Sequence, residues 1–157
     1  MKNNFKKFLF LFFLLSINFG LNSMANEINF EAKNIETVKE NLIKASDEVY
    51  IYDNDGNKIY SDELIIDNEK KTYIIKKNVV LKNHRNNLIL NTNEIIFDQK
   101  KNIFKTKGNT KVIKDNDYSI NTSDISYDLN SKKVFSNQNT ILEDSDSNQI
   151  NVKNFRL

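Results

Sequence analysis

The 157-residue sequence contains no cysteine, no proline and no tryptophan, and it has only three glycines and one histidine. Without cysteine, disulfides are excluded, so stability must come from packing and strand pairing. One histidine without a thiol leaves few nucleophile–base sets, and no glycine-rich phosphate loop is present. We therefore expect a chain that is not an enzyme, with no catalytic residues, no cofactor and no metal site.

The N-terminus has the pattern of a secretory signal peptide. Three lysines, at positions 2, 6 and 7, precede an apolar run over 8–15, and Ser23-Met24-Ala25 offers small residues for cleavage. The run is shorter than the roughly 20 residues of a membrane-spanning helix. We predict a signal peptide over 1–25 and one domain over 26–157. Cleavage would remove three of the 23 basic residues and none of the 21 acidic ones, so the mature domain would be close to neutral. A near-neutral charge argues against nucleic-acid binding driven by bulk charge.

After the signal peptide, apolar and polar residues alternate in short pulses. Ile125 and Tyr127, for example, are flanked by Asp124, Ser126 and Asp128, as in strands with one buried face. Polar breaks rich in Asn and Asp separate the pulses and are typical of hairpin turns. The pattern predicts an all-β protein with strands of four to six residues. The segment 35–45 could pass for a short helix, but we interpret it as irregular or strand.

The pulses repeat along the chain. Asp67, Asp98 and Asp128 recur at spacings of 31 and 30 residues. Four apolar columns follow the same spacing, and stacked repeats would turn each column into a continuous apolar row. These columns are Ile59, Leu90, Ile120 and Ile150; Leu64, Ile95, Ile125 and Phe155; Ile66, Phe97, Tyr127 and Leu157; and Tyr50, Leu81, Val112 and Leu142.

The stretch TNEIIFDQKKNIFKTKGNTKV carries a more specific pattern: an aromatic-Asp pair at 97–98, a polar turn, a strand and Gly108-Asn109. Tyr127-Asp128 repeats the pair, whereas Ile66-Asp67 departs from it. This pattern resembles the OstA-like domain of the lipopolysaccharide transport system, found in LptA and in the N-terminal periplasmic part of LptD. The resemblance implies a twisted, open, V-shaped β-jellyroll with stacked antiparallel strands. It also implies a periplasmic location, or association with the outer membrane if the chain is LptD-like.

The resemblance further implies two kinds of partner. Acyl chains of lipopolysaccharide would lie in an apolar groove, and other OstA-like domains would join end to end by strand addition. Lys76, Lys77, Lys105 and Lys107 either assist lipid phosphates or form a solvated face. The expected groove lining is Ile59, Leu64, Ile66, Leu90, Ile95, Phe97, Val112, Ile120, Ile125 and Tyr127.

Other interpretations stay open. A structural or adhesive surface β-solenoid would have a closed, dry core and no lipid ligand. A carbohydrate-binding sandwich is disfavoured because tryptophan is absent. The aligned Asp residues and the Asp53–Gly56 stretch suggest calcium, but turn capping and a hairpin explain them better. Leu157 falls within a strand column, so both a complete LptA-like chain and a fragment of a longer LptD-like chain remain possible.

Overall fold

The computed structural model describes residues 28–54 and 56–156. They form one antiparallel sheet of 14 strands, and no helix in these ranges is long and apolar enough to span a membrane. The strands are β1 (Asn29–Glu31), β2 (Asn34–Lys39), β3 (Leu42–Tyr52), β4 (Asn57–Asp67), β5 (Thr72–Asn83), β6 (Leu88–Asp98), β7 (Ile103–Lys107), β8 (Thr110–Lys114), β9 (Tyr118–Thr122), β10 (Ser126–Asp128), β11 (Lys133–Ser136), β12 (Thr140–Asp144), β13 (Gln149–Val152) and β14 (Phe155–Arg156).

Strands β3 to β6 are 11 or 12 residues long, so the prediction of four to six residues is wrong for them. Each pair among them has a register shift in its middle, as at Lys76/Val79 between β5 and β6. The strands bend at these register shifts. Two of the bends contain consecutive residues with positive φ, Asp47-Glu48 in β3 and Lys77-Asn78 in β5. A bulge of this kind bends a strand without ending it, which is why these polar positions are not turns.

The bends divide the sheet into two walls. Wall A consists of 49–52, 57–61, 79–83 and 88–92 with β1, β8, β9, β12 and β13. Wall B consists of 42–46, 63–67, 72–76 and 94–98 with β2, β7, β10, β11 and β14. One apolar core contains side chains from both walls, so the walls face each other across it.

Among the described residues that follow β6, no strand runs through both walls. The chain instead changes wall at short corners, the first of which contains Gly108 between β7 and β8. Gly108 has φ +81°, and a Cβ there would lie 2.5 Å from the side-chain oxygen of Asn93. Glycine is therefore required at this corner. The Gly108-Asn109 pair of the sequence pattern thus stands directly before β8, which begins at Thr110.

The predicted turns are also confirmed. The Asp67, Asp98 and Asp128 carboxylates each accept a backbone N–H two or three residues on, at 2.8–3.0 Å, which is the geometry of an Asx-turn. The 53–57 break closes as a hairpin, with the Asn57 amide donating to the Asp53 carboxylate at 2.9 Å. The segment 35–45 lies in β2 and β3, so the strand interpretation is correct there.

The all-β, open jellyroll prediction is confirmed, because the sheet does not close on itself. Within the described ranges, β1 and β2 pair only with β3, β13 pairs only with β12, and β14 pairs only with β11. Among the described residues, β1 and β13 are therefore the edge strands of wall A, and β2 and β14 are those of wall B.

Candidate functional site

The interior of wall A is a row of apolar side chains that crosses nine strands. Each residue is the direct cross-strand partner of the next, so the row has no gap in register. Such ladders are the unit of sheet stabilisation. The row is Phe30, Ile51, Ile59, Leu81, Leu90, Val112, Ile120, Leu142 and Ile150.

Wall B contributes two further inward rows. The first joins Ala45, Leu64, Ile75 and Ile95 and then reaches Thr106 of β7. Ile125 lies beside its end, because the Thr106 N–H donates to the Ile125 carbonyl at 2.8 Å. The second row is Ile43, Ile66, Tyr73, Phe97, Phe104, Tyr127 and Val134.

All ten sequence-predicted lining residues lie in these rows or beside them and belong to the common core. The predicted columns Ile59–Leu90–Ile120 and Leu81–Val112–Leu142 interleave into the single row of wall A. The sequence columns missed Phe104 and Val134, although the alternation Phe104-Lys105-Thr106 is the signal that would have identified the first of them.

One column member is misplaced. Tyr50 was aligned with Leu81, Val112 and Leu142, but Ile51 occupies that inward position and pairs with Ile59. The repeat spacing from β3 to β5 is 30 residues and not 31, and a one-residue slip sends a side chain to the opposite face. Tyr50 therefore points outward and stacks on the Tyr60 ring at 5.1 Å.

The inward side chains are deeply buried. The ten predicted lining residues are 0–7 % exposed, which means that they pack against one another across the two walls. Their role in a lipid groove therefore remains a prediction. An acyl chain could reach them only if the walls moved apart.

A second interior feature is a row of buried hydroxyls where the short strands change wall. The Thr110 hydroxyl lies 2.9 Å from the Thr92 hydroxyl and donates to the Thr106 hydroxyl at 2.8 Å. Thr122 lies 3.1 Å from the Ser136 hydroxyl, and Thr140 donates to Thr122 at 3.2 Å. We call these six residues the hydroxyl row. In the described ranges, no buried side-chain nitrogen or oxygen lacks a partner.

Of the lysines suggested as phosphate contacts, Lys76, Lys105 and Lys107 lie on the outer face of wall B, and Lys77 lies in the bend of β5. The Lys77 ammonium lies 3.0 Å from the Glu63 carboxylate, and the Lys107 ammonium lies 3.0 Å from Glu94. The hydrogen bond from Lys77 holds the pKa of Glu63 below its ordinary value. Cross-strand ion pairs of this kind fit the solvated-face interpretation.

The ends of the molecule leave apolar groups uncovered. Ile35 of β2 is the cross-strand partner of Ala45 and thus extends the first inward row of wall B, but its side chain is 58 % exposed. Within the described residues, no group of three or more His, Cys, Asp or Glu side chains is placed to hold a metal. The lone histidine, His84, is exposed in a turn.

Comparisons with known proteins agree with this architecture. A family model described as OstA-like protein matches residues 30–151. A search of curated proteins finds no significant match. Among solved structures, the chain is similar to LptH from Pseudomonas aeruginosa, which is the LptA-homologous periplasmic component of a lipopolysaccharide transport device. The TM-score is 0.58 at 14 % identity, over 69 % of this chain and 80 % of that one, which establishes a shared fold.

Proposed function

The chain belongs to the OstA-like family, and on that premise we propose that it is a periplasmic component of lipopolysaccharide transport. Proteins of this family serve transport and structural roles and are not enzymes, which confirms that part of the sequence interpretation. In the proposed function, the chain shelters lipid acyl chains between walls A and B and joins neighbouring OstA-like domains through its free strand edges. The proposal includes export by a signal peptide over 1–25, which lies outside the described residues.

The three inward apolar rows carry the proposal. Exposing an acyl chain to water costs about 0.8 kcal/mol per CH₂, so a chain of about twelve carbons costs on the order of 10 kcal/mol. A soluble carrier must therefore offer a long apolar surface. The row of wall A spans nine strands at about 4.8 Å per strand, giving roughly 40 Å of continuous apolar lining.

The free edges support the second part of the proposal. β1 and β2 at one end, and β13 at the other, each pair with only one strand within the described chain. An extended strand from a neighbouring domain can pair there by β-augmentation. Ile35 beside the β2 edge would then continue its row into the neighbour.

One observation favours a second candidate function. The inward residues are only 0–7 % exposed, as expected for a structural solenoid with a closed, dry core. A structural or adhesive protein of this type would bind no lipid, and its stability would not respond to lipid.

A photo-crosslinking experiment separates the two candidates. A benzoylphenylalanine replaces Phe104, which faces the interior, or Phe135, which is half-buried on the outer face of wall B. We expect purified lipopolysaccharide to crosslink at position 104 and not at position 135. Crosslinking at neither position, in a protein that remains folded, would favour the closed solenoid.

A further inference from the structure

Deep burial of the lining sets a condition on lipid binding. Leu64 and Ile95 are fully buried, and Leu90 and Phe97 are each 3 % exposed. Packed interiors leave no space for an inserted chain. If the proposed function holds, on which this inference rests, some part of the two walls must separate to admit an acyl chain.

The N-terminal half of the molecule, β3 to β6, opposes separation. Four long strands run through the bend, so the same backbones and the same strand pairs continue from one wall into the other. Opening the walls there would require all four strands to deform together. The bend is also lined by apolar side chains such as Val49 and Val79, both 1 % exposed.

The C-terminal half, β7 to β14, is built differently. Its strands in wall A pair only with strands of wall A, and its strands in wall B only with those of wall B, among the described residues. Short corners and the hydroxyl row connect the two walls. The bonds from Thr110 to Thr106 and between Thr122 and Ser136 both cross from wall A to wall B.

Hydroxyl contacts can be exchanged for water at little net cost, because water offers each hydroxyl a replacement partner. Strand pairing within each wall would stay intact during such an exchange. We propose that lipid acyl chains enter sideways through the C-terminal half, where the walls separate along the hydroxyl row while the N-terminal half stays closed.

Distance measurements between paired spin labels test this proposal, and the absence of native cysteine makes the labelling specific. One pair, Glu69→Cys with His84→Cys, places labels on exposed turns of walls B and A in the N-terminal half. The matched pair, Ser131→Cys with Asp146→Cys, does the same in the C-terminal half. Purified lipopolysaccharide is added to each.

We expect lipopolysaccharide to lengthen the 131–146 distance by roughly 5 Å, about half the ~10 Å spacing of packed sheets, and to leave the 69–84 distance unchanged. Equal lengthening of both pairs, or lengthening of the 69–84 pair alone, would overturn the proposal. Crosslinking at position 104, on β7 of the C-terminal half, is measured in the same samples. Absence of crosslinking would refute the proposed function, whereas crosslinking without a change at 131–146 would refute only this inference.

A variant tests the same proposal without lipid. Thr122→Val with Ser136→Ala removes one cross-wall bond and leaves both strands paired. We expect a broader 131–146 distance distribution and an unchanged 69–84 distribution. A 131–146 distribution as narrow as in the parent protein would show that the hydroxyls do not hold the walls together and would contradict the proposal.

Discussion

The N-terminal and C-terminal halves build the same interior by different means. In β3 to β6, single strands of 11 or 12 residues cross both walls through bulges. In β7 to β14, strands of at most five residues stay within one wall, and buried hydroxyls join the walls. The inward row of wall A nevertheless continues across both halves without a break in register.

This difference shows that successive sequence repeats can keep the same inward row of side chains while the backbone connects the two walls in different ways. Leu90 and Leu142 occupy the same row, yet Leu90 lies on a strand anchored in both walls and Leu142 on one anchored in wall A alone. We expect the side chains of the two halves to pack equally well. We expect the effect of a substitution to spread further when it lies in the N-terminal half than when it lies in the C-terminal half.

The largest effect should come from removing matched leucines. Leu90→Ala and Leu142→Ala delete the same atoms at sites 3 % and 6 % exposed, and each should cost about 2–5 kcal/mol. Hydrogen exchange should show Leu90→Ala increasing the exchange of amides in both halves. Leu142→Ala should affect mainly β9 and β12 to β14. Equal loss of protection in β4 to β6 by both variants would contradict the comparison.

Gly108→Ala should weaken the first corner of the C-terminal half. Its left-handed backbone alone costs about 1–2 kcal/mol for alanine, and the added Cβ would meet the Asn93 side chain at 2.5 Å. Gly56→Ala is the control, because its φ is +83° but its nearest contact, Arg85 Cγ, is at 3.4 Å. Denaturant unfolding should show the larger loss at position 108. Equal losses would mean that the Asn93 contact adds nothing.

Thr110→Val tests the hydroxyl row, and the expected loss of stability is smaller. The variant keeps the shape of the side chain but removes the hydrogen bonds to Thr92 and Thr106. We expect a loss of roughly 1–2 kcal/mol, the lower part of the range for an unsatisfied buried group, because in the variant Thr92 can donate to the Lys107 carbonyl instead. Ser61→Ala in the N-terminal half removes only one long contact of 3.4 Å and should cost less. The reverse order would be inconsistent with a supporting role for the row.

Acid sensitivity should be the smallest effect and should not distinguish the halves. Hydrogen bonds from Lys70 lower the pKa of Asp67, and those from Ser131 lower the pKa of Asp128, from an ordinary value of 3.8. A lowered folded-state pKa gives stability that is present above the unfolded value and lost as pH falls through the folded one.

Unfolding measured between pH 5 and pH 2 should therefore show a shallower loss below about pH 4 for Asp67→Asn and for Asp128→Asn than for the parent protein. Asparagine can still accept the turn hydrogen bond, so stability at neutral pH should change little. A steeper acid loss in either variant would contradict the assigned pKa direction.

Much of the wall architecture could be predicted from the sequence because strand alternation and Asx-turns are local signals. Asp67 and Asp98 mark turns through bonds to residues three positions on. The bends were missed because Lys77-Asn78 is polar like a turn but sits inside one strand. The inward position of Ile51 in place of Tyr50 comes from the first hairpin, because Ile51 pairs with Ile59 eight residues on, whereas Leu81 pairs with Leu90 nine residues on.

The depth of burial could not be predicted either. Alternation shows which face of a strand is apolar, but it does not show how closely the opposite wall packs on that face. The hydroxyl row has a partial signal, since Thr122 follows Ile120 at the inward spacing of two residues. Its partner Ser136 lies 14 residues away on the other wall, and only the three-dimensional arrangement brings them together.

The most direct test of the central claim uses the absence of tryptophan in the chain. Phe104→Trp places a single reporter in the interior, and Phe135→Trp places one on the half-buried outer face of wall B. Lipopolysaccharide with brominated acyl chains is then titrated against each variant. We predict strong fluorescence quenching at position 104 and little at position 135. Equal quenching at both positions, or none at position 104, would contradict an interior that holds lipid.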